Sequence, residues 1–305
     1  MLRIIWLIFI VLTLTRCHSD LTTSSSSVID LSDLEPLPIR NDDIVPLRVS
    51  VAAVISPRGT VESYQPLLDY LSKALDRPIE LVQRRTYQET NDLIESGEVD
   101  VAFVCTSAYI TGHDEFGMQL LAAPEVNGES LYYSLLIVPT NSTTQVIEDL
   151  EGHVFAFTDP ISYSGRVYPE YLVRQLGKRT ELFFSRTFFT YSHDEAIYAV
   201  ANGLADGAAV DSLVYEFALE RDPTLSHRVR IIHRSPPFGI PPVVVSPNVR
   251  PQQRVLLQEV LLSMHENAEG QAALAALGLE QFKLIDDSVY NSAREIIDEV
   301  GPLSS

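Results

Sequence analysis

The sequence predicts an α/β protein of two Rossmann-like lobes joined by a two-strand hinge. Three observations carry this reading. Short β-branched runs alternate with amphipathic segments, one six-residue pattern occurs once in each half, and two further strand-like runs flank the second half.

Taken in order, residues 48–55 (RVSVAAVI) read as the first strand and residues 64–75 as the first helix. Leu67, Leu68, Leu71 and Leu75 share a face of that helix, and Pro66 falls near its first turn, where a missing N–H costs little. Residues 79–82 form a second strand, 87–95 a second helix and 99–104 (VDVAFV) a third strand. In the second half, 154–157 (VFAF) is a strand, 165–176 a helix closed by Gly177, and 181–184 another strand. Ser192 and Glu195 have the spacing of a capping box, opening a helix that runs to Gly203. Residues 208–210 complete the set.

The repeated pattern is G-x-x-D-x-A, at residues 97–102 and 203–208, each time between a helix end and a buried strand. Residues 135–138 and 243–245 read as paired crossovers. That division places 47–138 with 243–305 in one lobe and 139–242 in the other, and two crossings make a hinge.

At the start of the chain, Arg3 followed by the apolar run 4–14 reads as an export signal, the run being too short to span a bilayer. Cys17 stands where a lipoprotein signal (residues 1–17) carries its acylated residue, but Arg16 is not the small residue such signals place before it. Release into the periplasm and anchoring there through lipidated Cys17 both stay open. Residues 18–46, rich in Ser, Thr, Asp and Pro, read as a flexible tether.

The chain carries 41 acidic and 22 basic residues, a net charge of −19, which becomes −21 once residues 1–16 with Arg3 and Arg16 are removed. Such a surface repels nucleic acid, which is excluded as a partner. With Cys17 in the signal or the anchor, Cys105 has no partner for an internal disulfide. No P-loop, H-E-x-x-H, G-x-S-x-G or metal-spaced cysteine pair occurs, so the sequence indicates neither an enzyme nor a cofactor.

In open α/β sheets, ligands bind beyond the carboxyl ends of the strands. The rule selects Tyr64 after the first strand, Cys105, Thr106, Ser107 and Tyr109 after the third, and Ser162, Tyr163 and Ser164 in the second half. His193 opens the next helix and Asp211 follows the last strand. Hydroxyls and free N–H groups at a helix start cradle an oxyanion or a polyhydroxy compound. Ser162 and Ser164 read equally as plain helix caps, and His193 as a surface or capping residue.

Residues 64–71 (YQPLLDYL), 159–165 (DPISYSG), the His193 helix leading into 206–212 (DGAAVDS), and 278–290 resemble the phosphate/phosphite/phosphonate-type periplasmic binding proteins. The resemblance implies a type II periplasmic-binding-protein fold. It implies a cleft lined by Tyr64, residues 106–109, Ser162, Tyr163, Ser164, His193 and Asp211, with an oxyanion at the Ser-rich helix start. After the third strand, relatives often carry a Gly-Pro or similar small pair, whereas this chain has C-T-S-A-Y at 105–109.

That loop is similar to a narrower branch, the periplasmic arsenite-binding proteins that report to a membrane sensor histidine kinase controlling arsenite oxidation. This closer resemblance implies arsenite held through Cys105, its thiophilic arsenic bonded to the sulfur. The plainer reading makes Cys105 a small buried hydrophobe at a strand end. The alternative function is the binding component of an ABC transporter for phosphite, phosphonate or phosphate, with an ABC permease as partner and a site that tolerates Cys105→Ser.

Overall fold

The structure, a computed structural model, describes residues 45–301. The export signal, Cys17 and residues 18–44 of the tether lie outside the described residues. The first part of the chain runs β1 (Leu47–Val51), α1 (Pro57–Ala74), β2 (Ile79–Val82), α2 (Tyr87–Ser96), β3 (Val101–Phe103), α3 (Thr106–Phe116) and β4 (Gln119–Glu125). Then come β5 (Leu131–Tyr132), β6 (Ser134–Pro139), β7 (Val154–Phe157), a π-helical turn (Tyr163–Val167), α4 (Tyr168–Gln175), α5 (Thr180–Phe183) and β8 (Arg186–Phe189). They are followed by α6 (His193–Ala201), β9 (Gly207–Asp211), α7 (Ser212–Arg221), β10 (Val229–Arg234) and β11 (Phe238–Gly239). The chain ends with β12 (Val243–Val245), α8 (Pro251–Ser263), α9 (Ala268–Ala275), β13 (Gln281–Lys283) and α10 (Asn291–Val300).

These strands build a six-stranded sheet of order β13-β4-β12-β3-β1-β2 and a five-stranded sheet of order β10-β6-β9-β7-β8. The parallel triplets β3-β1-β2 and β9-β7-β8 have the same order, which is the duplication that the repeated pattern announces. Asp100 Oδ2 accepts the Arg48 N–H at 2.9 Å, and Asp206 Oδ2 accepts the Val154 N–H at 2.9 Å, both across 52 residues. The aspartate N–H groups return the bond, to the carbonyls of Arg48 at 2.9 Å and Val154 at 2.8 Å. Before each aspartate the helix ends on a glycine of positive φ, Gly97 at 74° and Gly203 at 71°, a conformation that favours glycine because it has no Cβ.

One core layer packs Leu67 and Leu71 of α1, Leu257 and Leu261 of α8 and Leu274 of α9 against Leu47, Val49, Val101 and Val243 of the sheet. The other sheet is covered on one face by Ile197 and Val200 of α6 and on the other by Val173, Phe183 and Phe184. A further cluster, with Cys105, Tyr109, Tyr132, Tyr163, Phe238 and Tyr290, joins the two halves.

Four sequence readings change. Residues 135–138 are not a crossover paired with 243–245: β6 lies inside the five-stranded sheet between β10 and β9, and β12 lies between β3 and β4. The chain crosses at the β5–β11 ribbon, where Phe238 opposes Tyr132 and Gly239 opposes Leu131. Residues 181–184 fall largely in helix α5 and the strand is β8; both stretches carry paired phenylalanines, so apolarity alone does not choose between them. Ser192 makes no side-chain cap bond, whereas Thr86 and Glu89 do close a capping box at α2. The first helix starts at Pro57, with Pro66 inside it, because Pro57 occupies the first-turn position that needs no donor.

Candidate functional site

The helix starts of both halves converge between the two sheets. Cys105 caps α3 directly after β3 and is 4% exposed. Its Sγ accepts the Tyr163 N–H of the opposite half at 3.4 Å and lies 3.7 Å from Ser107 Oγ. Burial raises the thiol pKa, and the hydrogen bond from Tyr163 opposes it, so the group stays S–H near neutral pH. Beside it, the Ser107 hydroxyl donates to the Ile161 carbonyl, and Thr106 Oγ1 donates to the Gly239 carbonyl of the ribbon at 2.9 Å.

In the second half, Ser162 caps the π-helical turn by accepting the Gly165 N–H at 3.1 Å. Glycine is needed at 165: a Cβ there would meet Thr158 Oγ1 at 1.9 Å. His193 Nδ1 accepts the Asp211 N–H at 3.0 Å, which leaves the ring proton on Nε2, 3.5 Å from Ser162 Oγ. Burial holds the imidazole pKa at about 3, so the ring is neutral. Asp211 caps α7 through the Leu213 N–H at 2.7 Å, yet burial still pushes its carboxyl up to about 7. Asp159 accepts the Tyr87 N–H from the other half at 3.1 Å and the Ile161 N–H at 2.9 Å, and burial raises it to about 6.

Tyr64 packs edge-on against Phe103 at 5.2 Å, and its phenol is raised by burial and then by Asp211. Tyr64, Cys105, Thr106, Ser107, Ser162, His193 and Asp211 thus gather around the junction. Tyr109 shares the core cluster that joins the halves but turns its polar end away from this group: its hydroxyl donates to Asp287 at 2.7 Å and its ring stacks on His113, on the side of α10. Tyr163 contributes its N–H, while its ring turns onto Phe238 at 4.7 Å. Ser164 is buried, and its carbonyl accepts the Ser134 hydroxyl at 2.7 Å.

Two tyrosines escaped the sequence reading. Tyr87 buries a phenol oxygen that has no hydrogen-bond partner among the described residues, Tyr132 buries its own beside Thr106, and both phenols are raised by burial and by nearby Cys105 and Asp211. Tyr87 opens the helix after β2, so the carboxyl-end rule applied to that strand would have selected it. Tyr132 belongs to the two-residue ribbon and carries no such signal.

The junction is bridged further by both oxygens of Asp194, which accept the Ser56 N–H at 2.9 and 3.1 Å, and by the His193 N–H to the Val54 carbonyl at 2.9 Å. The gathered groups include neutral donors and the Asp159 and Asp211 carboxyls, raised toward neutral pH, a set suited to a partly protonated oxyacid. Among the described residues, no group of three His, Cys, Asp or Glu is placed to hold a metal ion.

Residues 49–290 match the family described as the periplasmic substrate-binding protein of the phosphonate ABC transporter. The chain belongs to that family. A curated relative, the phosphate-import protein PhnD of Mycolicibacterium smegmatis, is 27% identical over 203 residues, which are 62% of this chain and 63% of the relative. The chain therefore spans less than two thirds of that relative's length.

Among solved structures, a binding-protein component of an ABC phosphonate transporter from Pseudomonas aeruginosa superposes with a TM-score of 0.80 at 23% identity, covering 85% of this chain and 87% of that one. PhnD1 of Prochlorococcus marinus, solved in complex with methylphosphonate, gives 0.75 at 19% identity over 83% and 97%. The periplasmic aliphatic sulphonate binding protein SsuA of Escherichia coli gives 0.55 at 16% identity over 83% and 91%. These likenesses show the mixed α/β periplasmic-binding-protein fold with its two sheets. The family is one of binding proteins, and among the described residues no helix is long and apolar enough to cross a membrane.

Proposed function

We propose that this chain is the substrate-binding component of an ABC importer and takes a phosphorus oxyanion, phosphonate, phosphite or phosphate, between its two halves. The observation that carries this is the chain Asp211 N–H to His193 Nδ1, with His193 Nε2 facing Ser162 Oγ. With Gly165 N–H and His193 Nε2–H directed at its lone pairs, the Ser162 hydroxyl has its own proton free to donate to a ligand oxygen. Asp211, titrating at about 7, accepts the proton of a P–OH group. Tyr64, Tyr87 and Tyr132 supply further neutral donors.

The halves act as two lobes that close about the β5–β11 ribbon, and a membrane permease reads the closed form. Thermal-shift titration with methylphosphonate, phosphite and phosphate tests this, since a ligand at a hundred times its Kd adds about 2.7 kcal/mol to the folded state. Small-angle scattering should show compaction with the same ligand. No shift with any of the three at millimolar concentration would reject the reading.

The position of the Cys105 sulfur, at the junction and 3.4 Å from the Tyr163 nitrogen, favours a second reading. Arsenite is an uncharged oxyacid at neutral pH, and a thiol exchanges with one of its hydroxyls to form an S–As bond and release water. The partner would then be a membrane sensor histidine kinase. Cys105→Ser separates the two: it abolishes an arsenite shift and leaves a phosphonate shift in place. Anchoring through lipidated Cys17 adds an acyl mass to the exported protein, read by mass spectrometry.

A further inference from the structure

A cavity of about 250 Å³ adjoins Asp211, walled by Phe103, Val214, Phe217, Leu277, Leu279 and Phe282. We infer that it is a subsite for an apolar substituent carried by the oxyacid, so that the ligand is an organophosphonate with a side group of several carbons. This inference rests on the phosphorus-oxyanion reading above and narrows it.

Two features decide what can occupy the cavity. Its carboxyl-bearing lining is Asp211 with Glu216 and Glu220, and among the described residues no Lys, Arg or His faces it. Glu216 and Glu220 repel an anionic headgroup, which belongs instead at Ser162, His193 and the Asp211 carboxyl raised to about 7. Most of the remaining wall is hydrocarbon and aromatic. Asp211 lines the cavity and its N–H donates to His193 Nδ1, so one residue fixes the headgroup relative to the substituent.

Size points the same way. An apolar cavity of roughly 150 Å³ accepts benzene, so this one takes a butyl or phenyl group, and a methyl group leaves most of its wall without contacts. Burying one more methylene strengthens binding by about fourfold.

Calorimetric titration of the full-length protein with phosphate, methylphosphonate, butylphosphonate and phenylphosphonate tests the subsite. Butylphosphonate should bind at least tenfold more tightly than methylphosphonate. Leu279→Trp, and independently Leu277→Trp, fill the chamber from the loop between α9 and β13, which carries none of the headgroup residues. Each should erase that advantage while methylphosphonate affinity stays within about twofold. Butylphosphonate no tighter than methylphosphonate in the unmodified protein overturns the subsite and leaves the receptor reading intact; so does an equal loss for both ligands in the tryptophan variants. Failure of all four compounds to bind overturns both readings.

Discussion

His193 Nδ1 accepts the backbone N–H of Asp211 at 3.0 Å, and this single bond sets the tautomer that the site uses. His193→Ala leaves that N–H buried and unpaired, a loss of about 1–3 kcal/mol in chemical denaturation. His193→Asn can present an amide oxygen where Nδ1 was, recovering stability, but offers nothing in place of Nε2. Ligand affinity should therefore fall in both variants while stability falls mainly in the alanine variant. Equal destabilisation by Ala and Asn would refute the assignment.

Buried Asp211 and His193 tilt stability with pH in opposite senses. Asp211 titrates at about 7 in the folded protein and near 3.9 in an unfolded chain. The folded state thus keeps a proton that the unfolded state has lost, and its stability declines as pH rises from about 4 to about 7. Asp211→Asn should gain on the unmodified protein across that window and run parallel to it above. For His193, at about 3 folded against 6.5, stability is full above pH 6.5 and declines as pH falls toward 3. His193→Asn should gain on the unmodified protein in that direction. Urea titrations at half-unit pH intervals read both differences.

Gly165→Ala forces a methyl group to 1.9 Å from Thr158 Oγ1. Overpacking of this kind costs about 1–3 kcal/mol and displaces the π-helical turn that carries Ser162. Pairing it with Thr158→Ala should recover part of the loss in melting temperature. A Gly165→Ala protein as stable as the unmodified one would show that the turn does not sit against Thr158.

The Asp194 carboxylate takes the Ser56 N–H across the junction with both oxygens, at 2.9 and 3.1 Å. Removing a carboxylate that satisfies a helix-start N–H costs about 0.5–2 kcal/mol. Asp194→Ala should weaken ligand binding by roughly 2- to 30-fold and shift small-angle scattering toward a larger radius of gyration. Unchanged affinity and radius would mean that this contact does not hold the halves together.

Much of the fold was legible because its strands are short and cleanly bounded. Residues 79–82, 154–157 and 243–245 coincide with β2, β7 and β12. The G-x-x-D-x-A echo marked the duplicated unit because Asp100 and Asp206 make the same backbone bonds. The carboxyl-end rule picked out Cys105, Ser162, His193 and Asp211, which the fold gathers at the junction. It misplaced Tyr109 and the Tyr163 ring because neighbourhood in sequence does not set side-chain direction: Tyr109 lies one turn into α3, on the face toward Asp287. The crossing was misassigned because β5 and β11 are two residues each, too short to show a period.

The matched aspartate clasps also bear on how the chain renatures. Each ties off a loop of the same length, 52 residues, around the first two strands of its triplet, β1 and β2 in one half and β7 and β8 in the other. Equal loops carry equal closure entropy, so neither triplet gains a head start over the other. The pairings of β12 with β3 and of β13 with β4, which join segments farther apart in sequence than the β5–β11 ribbon does, are then the natural late arrivals.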